Sequence, residues 1–124
     1  EYKIITKNKK KLFFNNFNLF VKKKLEEYKN NKFINDCHIM PQNEFIKDKN
    51  GKLLKNLEIL KFENLENDFQ KLLKKYNYSK MDLRSDNKTT SFLTYKDLDK
   101  HSIDLINDFY SEDFSFFNYS KIQK

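Results

Sequence analysis

Two short stretches of this chain hold side chains able to do chemistry on a bound substrate. The first is Cys37-His38-Ile39-Met40-Pro41-Gln42, where a histidine stands before a Pro-Gln step in a stretch without helical periodicity. Imidazole exchanges a proton near neutral pH, so a loop histidine is a candidate general base. Considered alone, a structural histidine is the commoner case. The second stretch is Asn87-Lys88-Thr89-Thr90-Ser91, an amide, an ammonium and three hydroxyls in a row. Such a set can wrap a phosphate with charge-assisted hydrogen bonds, although from composition alone an ordinary polar loop is the better reading.

Other chemistries find little support. The chain has one cysteine, Cys37, and two histidines, His38 and His101, so no zinc site is expected and no metal is assigned. Cys37 as a nucleophile assisted by its neighbour His38 is weak, because adjacent residues seldom face each other. The only glycine, Gly51, lies in the turn signal Asp48-Lys49-Asn50-Gly51-Lys52, so no Gly-rich phosphate cradle is present. Glu63 and Asp68 flank a helix start, where the helix dipole already favours negative charge, and nothing selects them as a catalytic pair.

The elements that would position these groups are mostly helical. Phe17, Phe20, Val21, Leu25 and Tyr28 predict an amphipathic helix from about Asn16 to Lys29, with Lys22, Lys23, Glu26 and Glu27 mostly facing water. Residues 1–16 before it read as the end of an element and a solvated, lysine-rich loop. Leu57, Ile59, Leu60 and Phe62 predict a short buried strand running into a helix capped by Asn64. Leu65, Phe69, Leu72, Leu73 and Tyr76 fall on one face of that helix. A last helix is expected from Asp97 or Asp99, carrying Ile103, Ile106, Phe109, Tyr110, Phe114 and Phe117. A strand feeding a helix is the unit of an open α/β sheet, whose ligands sit beyond the carboxyl ends of the strands.

At 124 residues the chain is at most one domain. The net charge of +7 arises from 25 Lys and Arg against 18 Asp and Glu. Only one of those cations is an arginine, Arg84, and Asn, Lys, Ile and Phe dominate throughout, the bias of an AT-rich coding sequence. A dedicated nucleic-acid site is therefore not expected, since arginine is the usual base reader. The charge still favours an anionic ligand. No run approaches the roughly 20 apolar residues of a membrane span, and a lone cysteine demands no oxidising compartment.

Taken in order, five segments resemble the carboxyl-terminal half of the membrane-type carbohydrate sulfotransferases, the family that includes the chondroitin and heparan/uronosyl enzymes. Phe17-Asn18-Leu19-Phe20-Val21 matches its Phe-x-x-Phe-Val helix, and Asp36-Cys37-His38-Ile39-Met40-Pro41-Gln42 its Asp-x-His-x-x-Pro-Gln loop. After Phe45-Ile46, the segment from Phe62 to Phe69 matches Phe-Glu-Asn-Leu-x-x-Asp-Phe, and Asn87-Lys88-Thr89 an Asn-Lys-Ser/Thr loop. The stretch from Tyr110 through Asp113 and Phe117 to Tyr119 resembles the family's closing Tyr-x-x-Asp-x-x-x-Phe-x-Tyr. The likeness spans about Phe17 to Tyr119.

The resemblance implies an α/β, P-loop-like sulfotransferase fold, helix-rich and with one or two strands in this segment. The whole chain, 1–124, would be a single partial domain. The implied reaction moves a sulfuryl group from 3′-phosphoadenosine 5′-phosphosulfate to a hydroxyl of a glycan acceptor. Asn87, Lys88, Thr89 and Thr90 would close over the nucleotide donor, and His38 would line the acceptor cleft as the candidate catalytic residue. The family's basic phosphosulfate loop, and the Arg and Ser that grip the 3′-phosphate, have no counterpart here. The chain is therefore expected to be a carboxyl-terminal portion, inactive by itself. The compartment implied is the cytoplasm for a bacterial or viral protein and the Golgi lumen for a eukaryotic one. The alternative is a non-catalytic basic module that binds an anionic partner.

Overall fold

A computed structural model describes residues 7–84 and 93–124, with residues 7–15 as backbone only. The chain divides into two compact units, one within Glu1–Leu53 and Ser91–Lys124, the other within Leu54–Thr90.

The first unit is built on a long helix, α1 (Lys7–Asn30). It starts well before the expected Asn16, so most of the stretch expected to be a solvated loop is helical instead. Lysine is a good helix former whatever the hydrophobic pattern around it, and apolar spacing alone does not register it. Leu25 and Tyr28 of α1 are buried with Leu98 and Ile103, and α1 packs against α3 (Lys100–Phe109). Tyr28 meets Phe109 edge to face at 5.0 Å between ring centroids. Phe20 does not join this face. It is 54% exposed, whereas Asn18 is buried.

Asn18 is the polar joint between the two helices. Its side-chain oxygen accepts the Asp99 N–H at 2.8 Å, and its amide donates to the Asp97 carbonyl at 3.4 Å. The two candidate caps serve different turns. Asp97 closes a capping box with Thr94 over the single turn Tyr95–Asp97, and Asp99 caps α3 by accepting the Ser102 N–H at 2.6 Å. Lys22 of α1 adds an ion pair to Asp99 at 3.1 Å. The Ser102 N–H, then the ammonium, hold the Asp99 carboxyl down at about 2. The expected last helix is interrupted at Tyr110, beyond which α4 (Ser111–Phe116) begins.

The second unit centres on α2 (Leu65–Lys75), where Leu73 is the buried residue. Asn64 occupies the cap position but makes no side-chain capping bond. The predicted strand ahead of it did not form: among the described residues there is no strand, and the one ladder-like pairing is an isolated antiparallel bridge from Lys47 to Leu53 in the first unit. A strand exists only through ladder hydrogen bonds to a neighbour, and among the described residues the run from Leu57 pairs in no ladder. Leu57, Ile59 and Phe62 are exposed accordingly. The described fold is thus helix-rich rather than α/β.

Asparagine takes over the work usually given to glycine. Asn77 and Asn118 follow α2 and α4 in left-handed conformation, at φ 57° and 56°. Behind them Tyr78 donates to Leu73 at 2.8 Å and Tyr119 to Phe114 at 2.9 Å, the bond pattern of a Schellman stop. Gly51 does supply the expected turn, at φ 74°. Among the described residues, no helix is long and apolar enough to cross a membrane.

Candidate functional site

After α1 ends, the chain enters an unusual loop. Asn35, Asp36 and Cys37 are consecutive left-handed residues, at φ 50°, 51° and 67°. Asparagine and aspartate tolerate this region, but cysteine has no local compensation for the steric cost. The path folds the backbone under His38. The Asn35 carbonyl accepts the His38 N–H at 3.0 Å and also meets the His38 Nδ1. A carbonyl only accepts, so Nδ1 carries a proton, and a ring with one proton has its lone pair at Nε2. The ring is exposed. Nδ1 is engaged by Asn35, which leaves Cys37 no part in orienting the ring.

The segment after His38 is held by residues distant in sequence. Pro41 leads into a short helical turn, Gln42–Ile46, whose first N–H groups have no partner within the turn. Asp113 of α4 supplies one. One carboxylate oxygen accepts the Gln42 N–H at 2.7 Å, and the other accepts both the Asn43 N–H at 2.8 Å and the Asn43 side-chain amide at 2.6 Å. Asn43 is 3% exposed, so its two bonds lie largely out of water, whereas the Gln42 bond is exposed. Three residues earlier in the chain, Tyr110 donates its hydroxyl to the Ile39 carbonyl at 2.8 Å.

The surroundings reinforce this clamp. Phe109 stacks edge-on against Tyr110 at 4.7 Å and against Tyr28 from the other side. Burial first, then the Asp113 charge, pushes the Tyr110 hydroxyl up to about 12, so it stays a donor at any physiological pH. Lys47, just beyond the turn, reaches Glu44 at 2.6 Å and Glu112 at 2.9 Å, tying the turn to α4 a second time. Those two carboxylates, Glu44 first, raise the Lys47 ammonium.

The other candidate residues, Asn87, Lys88, Thr89 and Thr90, lie outside the described residues, so the structure does not bring them together with His38 or keep them apart. Among the described residues, no group of three or more His, Cys, Asp or Glu side chains is placed to hold a metal. Tyr110 and Asp113 hold the candidate loop and were not among the residues expected to form the site. Both stood in the closing motif of the resemblance, but no local signal linked them to a loop 70 residues away. The available clue was the Pro41-Gln42-Asn43 step, a turn start whose free N–H groups need an acceptor from elsewhere.

No family model, curated protein or solved structure matches this chain.

Proposed function

We propose that this chain is the carboxyl-terminal, acceptor-side portion of a carbohydrate sulfotransferase, within a P-loop-like fold. The observation that carries the reading is the meeting of two motifs on which the resemblance rests. The His38-Pro41-Gln42 loop and the Tyr110–Asp113 segment are joined by two hydrogen bonds, at the Ile39 carbonyl and the Gln42 N–H, and Asp113 holds the next residue, Asn43, by two more. The exposed apolar run Leu57, Ile59 and Phe62 also suits a sheet strand awaiting its neighbours.

On this reading His38 Nε2 takes the proton from an acceptor hydroxyl, while Nδ1–H on the Asn35 carbonyl fixes the tautomer and shares the growing positive charge. The hydroxyl oxygen forms a bond to the sulfur of 3′-phosphoadenosine 5′-phosphosulfate. The bond from sulfur to the 5′-phosphate oxygen breaks, and adenosine 3′,5′-bisphosphate leaves with that electron pair. Asn87, Lys88, Thr89 and Thr90 bind the nucleotide, with Lys88 as the fixed charge.

Nucleotide titration of the protein expressed from its complete reading frame tests this. The sulfotransferase reading expects adenosine 3′,5′-bisphosphate to bind at least about 10-fold tighter than AMP, one charge-assisted contact's worth. Equal affinities that collapse with added salt would instead establish the basic binding module, a reading favoured by the net charge of +7.

A further inference from the structure

We infer that Tyr110 and Asp113 are positioning residues for His38, holding it with Nδ1 protonated and Nε2 free. The inference rests on the reading of His38 as the group that meets the acceptor. Its geometric basis stands apart from that reading.

Neither residue touches the imidazole. They grip the chain immediately after it, at the Ile39 carbonyl and at the N–H groups of Gln42 and Asn43. Immediately before the imidazole lie the three left-handed residues Asn35, Asp36 and Cys37. Sparsely populated backbone of this kind persists only where the surrounding structure over-determines it. On the downstream side, that determination comes from Tyr110 and α4. With the clamp released, residues 35–37 relax toward ordinary backbone angles. The Asn35 carbonyl then leaves Nδ1, and the ring loses the hydrogen bond that fixes its tautomer. An exposed imidazole without that bond reverts to a mixture of tautomers.

The tautomer can be read directly. The chain has only two histidines, so long-range nitrogen–proton NMR of the labelled chain shows two rings, and a His101→Gln variant assigns them. Unaltered protein should show the neutral His38 ring predominantly as the Nδ1–H form. Tyr110→Phe, which keeps the aromatic packing and deletes one hydroxyl, and Asp113→Asn should each move His38 to mixed tautomers, with the His101 signals unchanged. A merely structural clamp would loosen the turn without altering the tautomer. An unchanged His38 pattern in Tyr110→Phe, with the Ile39 bond lost, would therefore overturn the inference even if Asp113→Asn failed to fold. If the tautomer shifts as expected but His38→Ala leaves sulfate transfer intact, the positioning stands and the sulfotransferase role of His38 falls.

Discussion

Replacing Asp113 with alanine deletes three hydrogen bonds to one carboxylate, and the structure says which of them matter. The Gln42 N–H is exposed, so water takes over as its partner and the loss is about 0.5 kcal/mol. The two Asn43 donors belong to a residue only 3% exposed, where water cannot follow without opening the turn. Each costs about 1–1.5 kcal/mol when orphaned. The sum is about 3 kcal/mol, a large share of the roughly 5–15 kcal/mol that holds a domain folded. Asp113→Asn should lose about half of that, because the carboxamide oxygen still serves the Asn43 donors but, being neutral, accepts them about half as strongly, and its NH2 faces the Gln42 N–H. A double-mutant cycle with Asn43→Ala should give a coupling of about 1–2 kcal/mol. Urea unfolding measures all of these, and native-state amide exchange should show Gln42 and Asn43 losing protection first. An Asp113→Ala variant within about 0.5 kcal/mol of the parent, the range of an inconsequential surface change, would refute the clamp. So would additivity in the cycle.

The same structure sets three further expectations, and the proposed function a fourth. Tyr110 has its hydroxyl raised from 10 to about 12, so its contribution to stability is present below pH 10 and lost as pH rises through 12. Ultraviolet titration should show a tyrosinate step near pH 12 that Tyr110→Phe removes. Asp99 is depressed from 3.8 to about 2, so its contribution is present above pH 4 and disappears as pH falls through 2. Because the side chain is half exposed, solvent screening limits the effect, and Asp99→Ala should cost about 1 kcal/mol in thermal unfolding at neutral pH. Gly51→Ala should cost about 1 kcal/mol from backbone strain alone, since φ is +74° and nothing lies within 4 Å of the new methyl. Lys88→Ala should weaken adenosine 3′,5′-bisphosphate binding by about 10- to 100-fold with little loss of stability; unchanged affinity would remove Lys88 from the site.

How far the sequence could be read depended on how local each feature was. The helices beginning at Leu65 and Lys100 announce themselves through apolar spacing, and the carboxylate of Asp99 caps the second of them as its type suggests. Asn77 and Asn118 could have been found too, since an asparagine just past the last apolar position is the usual substitute for a stop glycine. The early start of α1 was hidden because lysine and asparagine carry no hydrophobic period, and Phe20 was misplaced because Asn18 takes the buried position on that face. The strand expected from Leu57 failed for a different reason. Pairing is not a property of the segment that pairs. The same holds at the candidate site: His38 was legible from its chemistry, but its orientation depends on Asn35 being left-handed and on two side chains from the far end of the chain.

Transfer of labelled sulfate from 3′-phosphoadenosine 5′-phosphosulfate to a panel of glycans tests the proposed sulfotransfer directly, using the protein from its complete reading frame. Transfer to at least one glycan is expected, reduced by about 100-fold or more in His38→Ala, as loss of a general base entails. No transfer to any glycan, together with equal binding of AMP and adenosine 3′,5′-bisphosphate, would contradict it.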